Sequence, residues 1–219
     1  MNIQQFALKE LEVEPGELKE VLRCSVYIFF DCPFAGIGFS RCCHWIGLLH
    51  TVMFHRAFGL VHPREELIEP LDFAYVRCDD IAIHKHLEEQ VEQFEKIIQQ
   101  RENKKAQVVM SFFEKRYKKI WFRKYEEKVC FEQWIFTFQL TNEPETGDPQ
   151  ERRDRLSSRL RKRVMTIIQI VNEKKNHIPP LKTNDLTPFP YQVSFPSASE
   201  SWGVDMVWNM LKTPQPLLN

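Results

Sequence analysis

The strongest constraint on the fold is a helical stripe that is followed directly by two strand-like runs. Residues 79–102 open with acidic residues and repeat apolar ones at helical spacing, which predicts an amphipathic helix. Four apolar residues share its buried face: Leu87, Val91, Phe94 and Ile98. The runs 107–119 and 129–140 are rich in β-branched and aromatic residues. They predict a β-hairpin after the helix.

The remaining periodic segments extend this pattern into one α+β domain. We predict strands at 6–13, 71–78 and 191–195 and a second long helix at 150–175. The stripe of that helix comprises Leu156, Leu160, Val164, Ile167 and Val171. A proline-punctuated tail follows, with an apolar piece at 202–212. This order favours a single domain over residues 1–219, with a largely antiparallel sheet, helices on one face and a C-terminal strand and tail.

Composition argues against the common enzyme classes. The chain has 219 residues, a formal net charge of +0 and only seven glycines, none of them in a cluster that could cradle a phosphate. Patterns typical of nucleotide-binding loops, zinc hydrolases and serine hydrolases are absent from the sequence. We therefore expect a non-enzymatic protein that needs no cofactor.

Residues 24–46 look like an insertion in the first helix. This segment is strongly apolar, with Asp31 and Arg41 as its only formal charges. Four flanking residues form one continuous helical stripe if the segment is left out: Leu18, Leu22, Leu48 and Val52. A membrane span is the competing interpretation, but charges and Pro33 interrupt the run before about 20 clean residues. The insertion is either functional or an artefact such as an untrimmed intron.

Cysteine and histidine residues suggest neither a metal site nor a catalytic one. Four of six cysteines lie near His44, but close pairs at zinc-ligand spacing are missing. His50 and His55 are five residues apart and do not share a helix face. We expect the histidines to be structural or partly exposed.

Residues 152–163 put seven basic residues on the second long helix. Such a run is most often a solvated helix face, but it could also bind the phosphates of nucleic acid or an anionic lipid surface. The alternative function is therefore a membrane- or nucleic-acid-associated protein that acts through 24–46 and this helix.

Trp121 and Phe122 form the most informative short motif. They stand between the two strands of the predicted hairpin, within the strongly basic segment 118–128. Burying the flanking lysines would cost more than leaving the two rings in water. The sequence thus predicts an exposed aromatic pair at a hairpin loop, with rings that fold back onto the sheet as the alternative.

Several segments together carry a resemblance to a known family. They are, in chain order, LLHTVMFHRAFG, LDFAYVRC, MSFFEKRYKKIWF, FEQWIFTFQL and PYQVSF. These resemble the autophagy-related protein 101 family, whose members are HORMA-domain subunits of the autophagy-initiating kinase complex. The resemblance covers most of residues 6–212, and segment 24–46 has no counterpart in it.

The resemblance implies a HORMA-like fold and an adaptor function. If the resemblance holds, the chain forms a heterodimer with the HORMA domain of autophagy-related protein 13 and stabilises it. Trp121 and Phe122 match the family's finger, which recruits downstream factors for autophagosome formation. We accordingly expect a cytoplasmic protein that acts at the phagophore assembly site, with no nucleic-acid partner and no stable membrane span.

Overall fold

A computed structural model of the chain describes residues 3–8, 11–13, 45–56, 61–100, 105–120, 123–140, 148–181 and 189–196. The elements in these ranges are β1 (Gln4–Ala7), β2 (Leu11–Val13), α1 (Ile46–Arg56), β3 (Pro63–Ile68), β4 (Phe73–Cys78), α2 (Ile81–Gln100), β5 (Lys105–Ile120), β6 (Arg123–Leu140), α3 (Pro149–Glu173) and β7 (Tyr191–Ser194). A short 3-10 helix, Glu69–Leu71, connects β3 to β4.

The main sheet is built around the long hairpin of β5 and β6. Strand β7 pairs antiparallel with β5 on one side, while β1 and β2 pair in parallel with β6 on the other. The sheet is therefore mixed, and its longest pairing, between β5 and β6, is antiparallel. This confirms the predicted hairpin and the largely antiparallel α+β architecture, which agrees with a single HORMA-like domain.

The two faces of this sheet differ in polarity. One face is largely apolar, and Phe138 contacts Phe94 of α2 and Trp45 just before α1 at ring-centroid distances of 5.2 Å each. The opposite face carries side-chain hydrogen bonds, such as Gln133 Nε2 donating to Ser111 Oγ at 3.1 Å. Because apolar side chains must be removed from water, α1 and α2 cover the first face, and α3 packs on α1.

The two predicted amphipathic helices are confirmed. All four stripe residues of α2 are buried, as are four of the five in α3, while Val164 is partly buried. The side chain of Asp80 caps α2 by accepting from the backbone N–H of Ala82 and Ile83. Asp148 caps α3 in the same way, and the fixed φ of Pro149 suits the first helical position.

A separate two-stranded sheet, β3–β4, packs against α1. Strand β4 confirms the strand predicted at 71–78, and its alternate residues Phe73, Tyr75 and Arg77 are buried. The helix approaches closely because Gly47 has no side chain: a Cβ there would lie 3.0 Å from the Tyr75 ring.

Two features of the fold differ from the predicted elements. The predicted strand 6–13 consists of two strands, β1 and β2, which pair with β6 in registers that differ by one residue. This slip breaks a continuous ladder. Strand β3 was not predicted, because PREELI is polar and becomes a strand only through its pairing with β4.

The predicted insertion lies mostly outside the described residues, as do Leu18, Leu22 and the apolar tail 202–212. Its last two residues are described, and both are core residues: Trp45 is 9% exposed and Ile46 4%. The insertion and its boundaries remain a prediction.

Candidate protein-interaction site

The hairpin of β5 and β6 extends beyond the strands that flank it. On β5, β7 pairs only with Val109–Phe112, and on β6, β1 reaches only Glu132–Ile135. Within the described residues, 114–120 and 123–129 pair only with each other. We call these two strand ends the arm. At about 3.3 Å per residue, the arm is roughly 23 Å long.

The pairing of the arm continues to its end. Ile120 is the partner of Arg123, so Trp121 and Phe122 are the two residues that connect the strands. The aromatic pair itself lies outside the described residues. Residues 120–128, which lie between the two predicted strands, are thus largely paired strand. Two-residue connections of this kind usually favour Asn and Gly, so the turn alone does not account for two aromatics here.

A buried charged cluster lies where α1 meets β6. Arg56 Nε donates to both carboxylate oxygens of Glu132 at 2.9 and 2.8 Å, and the two side chains are 2% and 0% exposed. His177, which follows α3, donates from Nε2 to the same carboxylate at 2.7 Å, and the indole N–H of Trp134 donates to it as well. The cluster joins α1, β6 and the segment after α3, and its burial indicates a structural role.

A second polar pair links α1 to α2. His50 Nε2 lies 3.0 Å from His84 Nδ1, and His84 Nε2 lies 3.4 Å from Glu88 Oε1. If His84 donates to Glu88, its Nδ1 accepts from His50 Nε2–H. His50 Nδ1 then carries no proton, which fits its lack of a partner among the described residues. Burial lowers the pKa of His50 to about 3, with His84 and Arg77 as smaller contributions.

The burial of His50 predicts a loss of stability in mild acid. The unfolded state binds a proton near pH 6.5, whereas folded His50 does not until about pH 3. Stability therefore falls as the pH drops from about 6.5 towards 4, by up to about 1.4 kcal/mol per pH unit from this residue. Urea unfolding of the wild type and of His50→Gln over this range should show a shallower pH dependence for the variant.

The matched control for this experiment is His62→Gln, because His62 is exposed. Equal pH dependence in the wild type and in His50→Gln would contradict the assignment of the acid sensitivity to the buried imidazole.

The other sequence-predicted candidates are not assembled into a reactive site in the described part of the chain. There, no group of three His, Cys, Asp or Glu residues could hold a metal ion. Burial raises the pKa of the Cys78 and Cys130 thiols to about 11, which disfavours the reactive thiolate. The four cysteines near His44 lie outside the described residues.

The basic helix is partly engaged within the chain itself. Arg161 of α3 donates to the carboxylate of Asp72 at 2.8 Å, and Arg153 donates to Gln150 at 3.0 Å. Among the helices that the structure describes, none combines the length and apolar character that crossing a bilayer requires.

Neither the buried cluster around Glu132 nor the His50–His84 pair was predicted from the sequence. The structural role expected of the histidines fits His50, which is buried, and His177, which pairs with Glu132 across 45 residues of chain. One signal was present: Glu132 is an acid inside an aromatic strand, VCFEQWIF, where a buried charge requires a partner. Its charged partner Arg56 and its partner His177 belong to distant segments and could not be predicted from sequence spacing.

Comparison with known proteins identifies the family. The family model described as autophagy-related protein 101 matches residues 44–185. A relative of that name from Arabidopsis thaliana is 34% identical over 236 aligned residues, which cover 99% of this chain and 98% of the relative. Another, from Schizosaccharomyces pombe, is 27% identical over 71% of this chain and 80% of its own length. The chain therefore belongs to the autophagy-related protein 101 family.

Proposed function

We propose that this protein is a non-catalytic adaptor of the autophagy-initiating kinase complex. It binds and stabilises the HORMA domain of autophagy-related protein 13 and recruits downstream autophagy factors through Trp121 and Phe122. It acts in the cytoplasm, at the phagophore assembly site. Family membership supports the role in autophagy, since the matched relatives are named as autophagy-related proteins.

One observation carries the recruitment role: the register of the arm leaves an adjacent tryptophan and phenylalanine as its connecting residues. Exposed aromatic rings provide a large contact area with few rotatable bonds, which makes them effective binding anchors. Their departure from ordinary turn preferences also favours a functional role, because local rules are most often broken at functional sites.

The finger is tested by the double variant Trp121→Ala, Phe122→Ala. We expect the free energy of unfolding to change by no more than about 0.5 kcal/mol, since the substitutions should be at the surface. Binding to the HORMA partner should persist. Recruitment of later factors to the assembly site should fail, because each anchor contributes about 2 kcal/mol or more to binding.

Met165→Ala is the control for the finger variant, since Met165 is a large, 63% exposed apolar residue on α3. This variant should keep recruitment intact. A large loss of stability in the double variant would instead assign the two rings to the folded core, and the adaptor would need another surface.

The partnership has its own test. Co-expression with the HORMA domain of autophagy-related protein 13 should raise the melting temperature, because a partner that binds only the folded state stabilises it by mass action. Size-exclusion chromatography and thermal unfolding at micromolar concentration measure both effects. Separate elution with unchanged melting temperatures would contradict the heterodimer.

A further inference from the structure

The arm is the site of a local charge excess. Residues 114–129 contain seven Lys or Arg residues and three Glu, a net charge of +4 in a chain whose formal net charge is +0. This excess does not come from α3, whose basic run lies elsewhere in the sequence. The arm therefore carries a local field that the chain as a whole lacks.

The strand register places most of this excess on one face. Directly opposite residues of an antiparallel pair share a face, and here Lys115 pairs with Lys128, Tyr117 with Glu126 and Lys119 with Lys124. We call these six positions the lysine face; it carries four lysines and one glutamate, a net charge of +3. The other face carries three cations and two glutamates, a net charge of +1.

Contacts among the described side chains of the arm leave part of the lysine face unneutralised. Lys115 Nζ lies 3.5 Å from Glu126 Oε1, which engages the only acid of this face. Lys128 is exposed and forms no ion pair with another described residue. On the opposite face Arg116 is paired with Glu114 at 2.7 Å. Two like-charged cross-strand pairs destabilise an isolated hairpin, so an external anion would stabilise this arrangement.

Edge protection is the alternative explanation of the lysines. Both edges of the arm lack a neighbouring strand in the described residues, and lysines on such edges prevent pairing between chains. Charges of either sign would prevent such pairing, and they would not have to be concentrated on one face of the arm. Edge protection also does not require Tyr117, a 63% exposed aromatic ring between the two lysine pairs.

We propose that the lysine face binds an extended, acidic segment of a partner protein. The two lysine pairs are four residues apart, about 13 Å along a strand, which matches carboxylates four residues apart in an extended peptide. Tyr117 lies between the pairs and supplies apolar contact area. A protein segment fits this spacing, whereas a membrane surface would respond mainly to net charge. The proposal rests on the proposed adaptor function, because it defines a partner class for the same arm.

The probe is a fluorescein-labelled peptide of about twelve residues that alternates glutamate with threonine. Its affinity for the full chain is measured by fluorescence anisotropy, with glutamine in place of glutamate as the neutral reference. The test variant is Lys115→Glu, Lys128→Glu, which keeps the edges charged but reverses the sign. The matched control is Lys85→Glu, Lys162→Glu, since both lysines are exposed on helices.

We expect the acidic peptide to bind the wild type, with an affinity that falls as salt is added. Its affinity for the arm variant should be at least about fivefold lower than for the wild type. The helix control should retain the wild-type affinity to within about twofold. Size-exclusion chromatography should find all three proteins in the same oligomeric state.

Three results would overturn the proposal. The first is equal affinity for the acidic and the neutral peptide, and the second is an equal loss of peptide affinity in the helix control. The third is binding to phosphatidylserine vesicles that depends on the arm lysines, without binding to the peptide. The last result would assign the face to membranes. The adaptor function itself is tested by Trp121 and Phe122, which these variants retain, so either idea can fail alone.

Discussion

Replacing Glu132 by alanine should lower the free energy of unfolding by about 3–5 kcal/mol. The substitution leaves the Arg56 guanidinium buried without its counter-charge, and breaking a buried ion pair in this way is strongly destabilising. It also removes the acceptor for His177 and Trp134. Since total stability is typically 5–15 kcal/mol, the variant should be near the limit of folding. Chemical denaturation measures the effect.

An exposed ion pair is the matched control for this prediction. Arg64 pairs with Glu66 and Asp79, and its side chain is 58% exposed, so Arg64→Ala should cost no more than about 1 kcal/mol. The double variant Arg56→Met, Glu132→Leu should be more stable than Glu132→Ala, because no charge is left unpaired. Equal costs for Glu132→Ala and Arg64→Ala would contradict the role assigned to the cluster.

Trp45→Ala should cost a similar amount, about 3–5 kcal/mol, because it removes a large buried ring. The Trp45 ring contacts Phe94 at 5.1 Å and Phe138 at 5.2 Å, so it joins α2 to the sheet at the start of α1. Thermal or urea unfolding measures the loss. Met165→Ala, at an exposed site, should change stability by less than about 0.5 kcal/mol.

Trp45 also provides a test of where the predicted insertion ends. A variant that lacks 24–44 keeps Trp45 and Ile46, whereas one that lacks 24–46 loses two buried core residues. We expect the first variant to be the more stable by several kcal/mol. Equal stability of the two deletions would show that the burial of these residues contributes little.

Hydrophobic periodicity was sufficient to predict an element and its buried face wherever the segment's own residues form a clear pattern. The stripes of α2 and α3 and the alternation of Phe73, Tyr75 and Arg77 in β4 correspond to buried faces in the structure. Each of these segments has enough apolar residues to decide which face turns inward. Strand β3 was missed because its partner, and not its own residues, makes it a strand.

The candidate site was predictable only in part. The aromatic pair between two β-rich runs was evident from the residues, but the length of the arm depends on where the pairing of β7 and β1 with the hairpin stops. The concentration of charge on one face likewise depends on register, since a slip of one residue would move every side chain to the other face.

The α+β class, the two amphipathic helices and the aromatic pair between the hairpin strands could be predicted, because they follow from residues close together in the chain. Which distant groups meet depends instead on the packing of the elements. Arg56, Glu132 and His177 come from three separate segments, and His50 meets His84 across two elements. Such contacts depend on how elements pack, and a buried charge is tolerated only where packing supplies its partners.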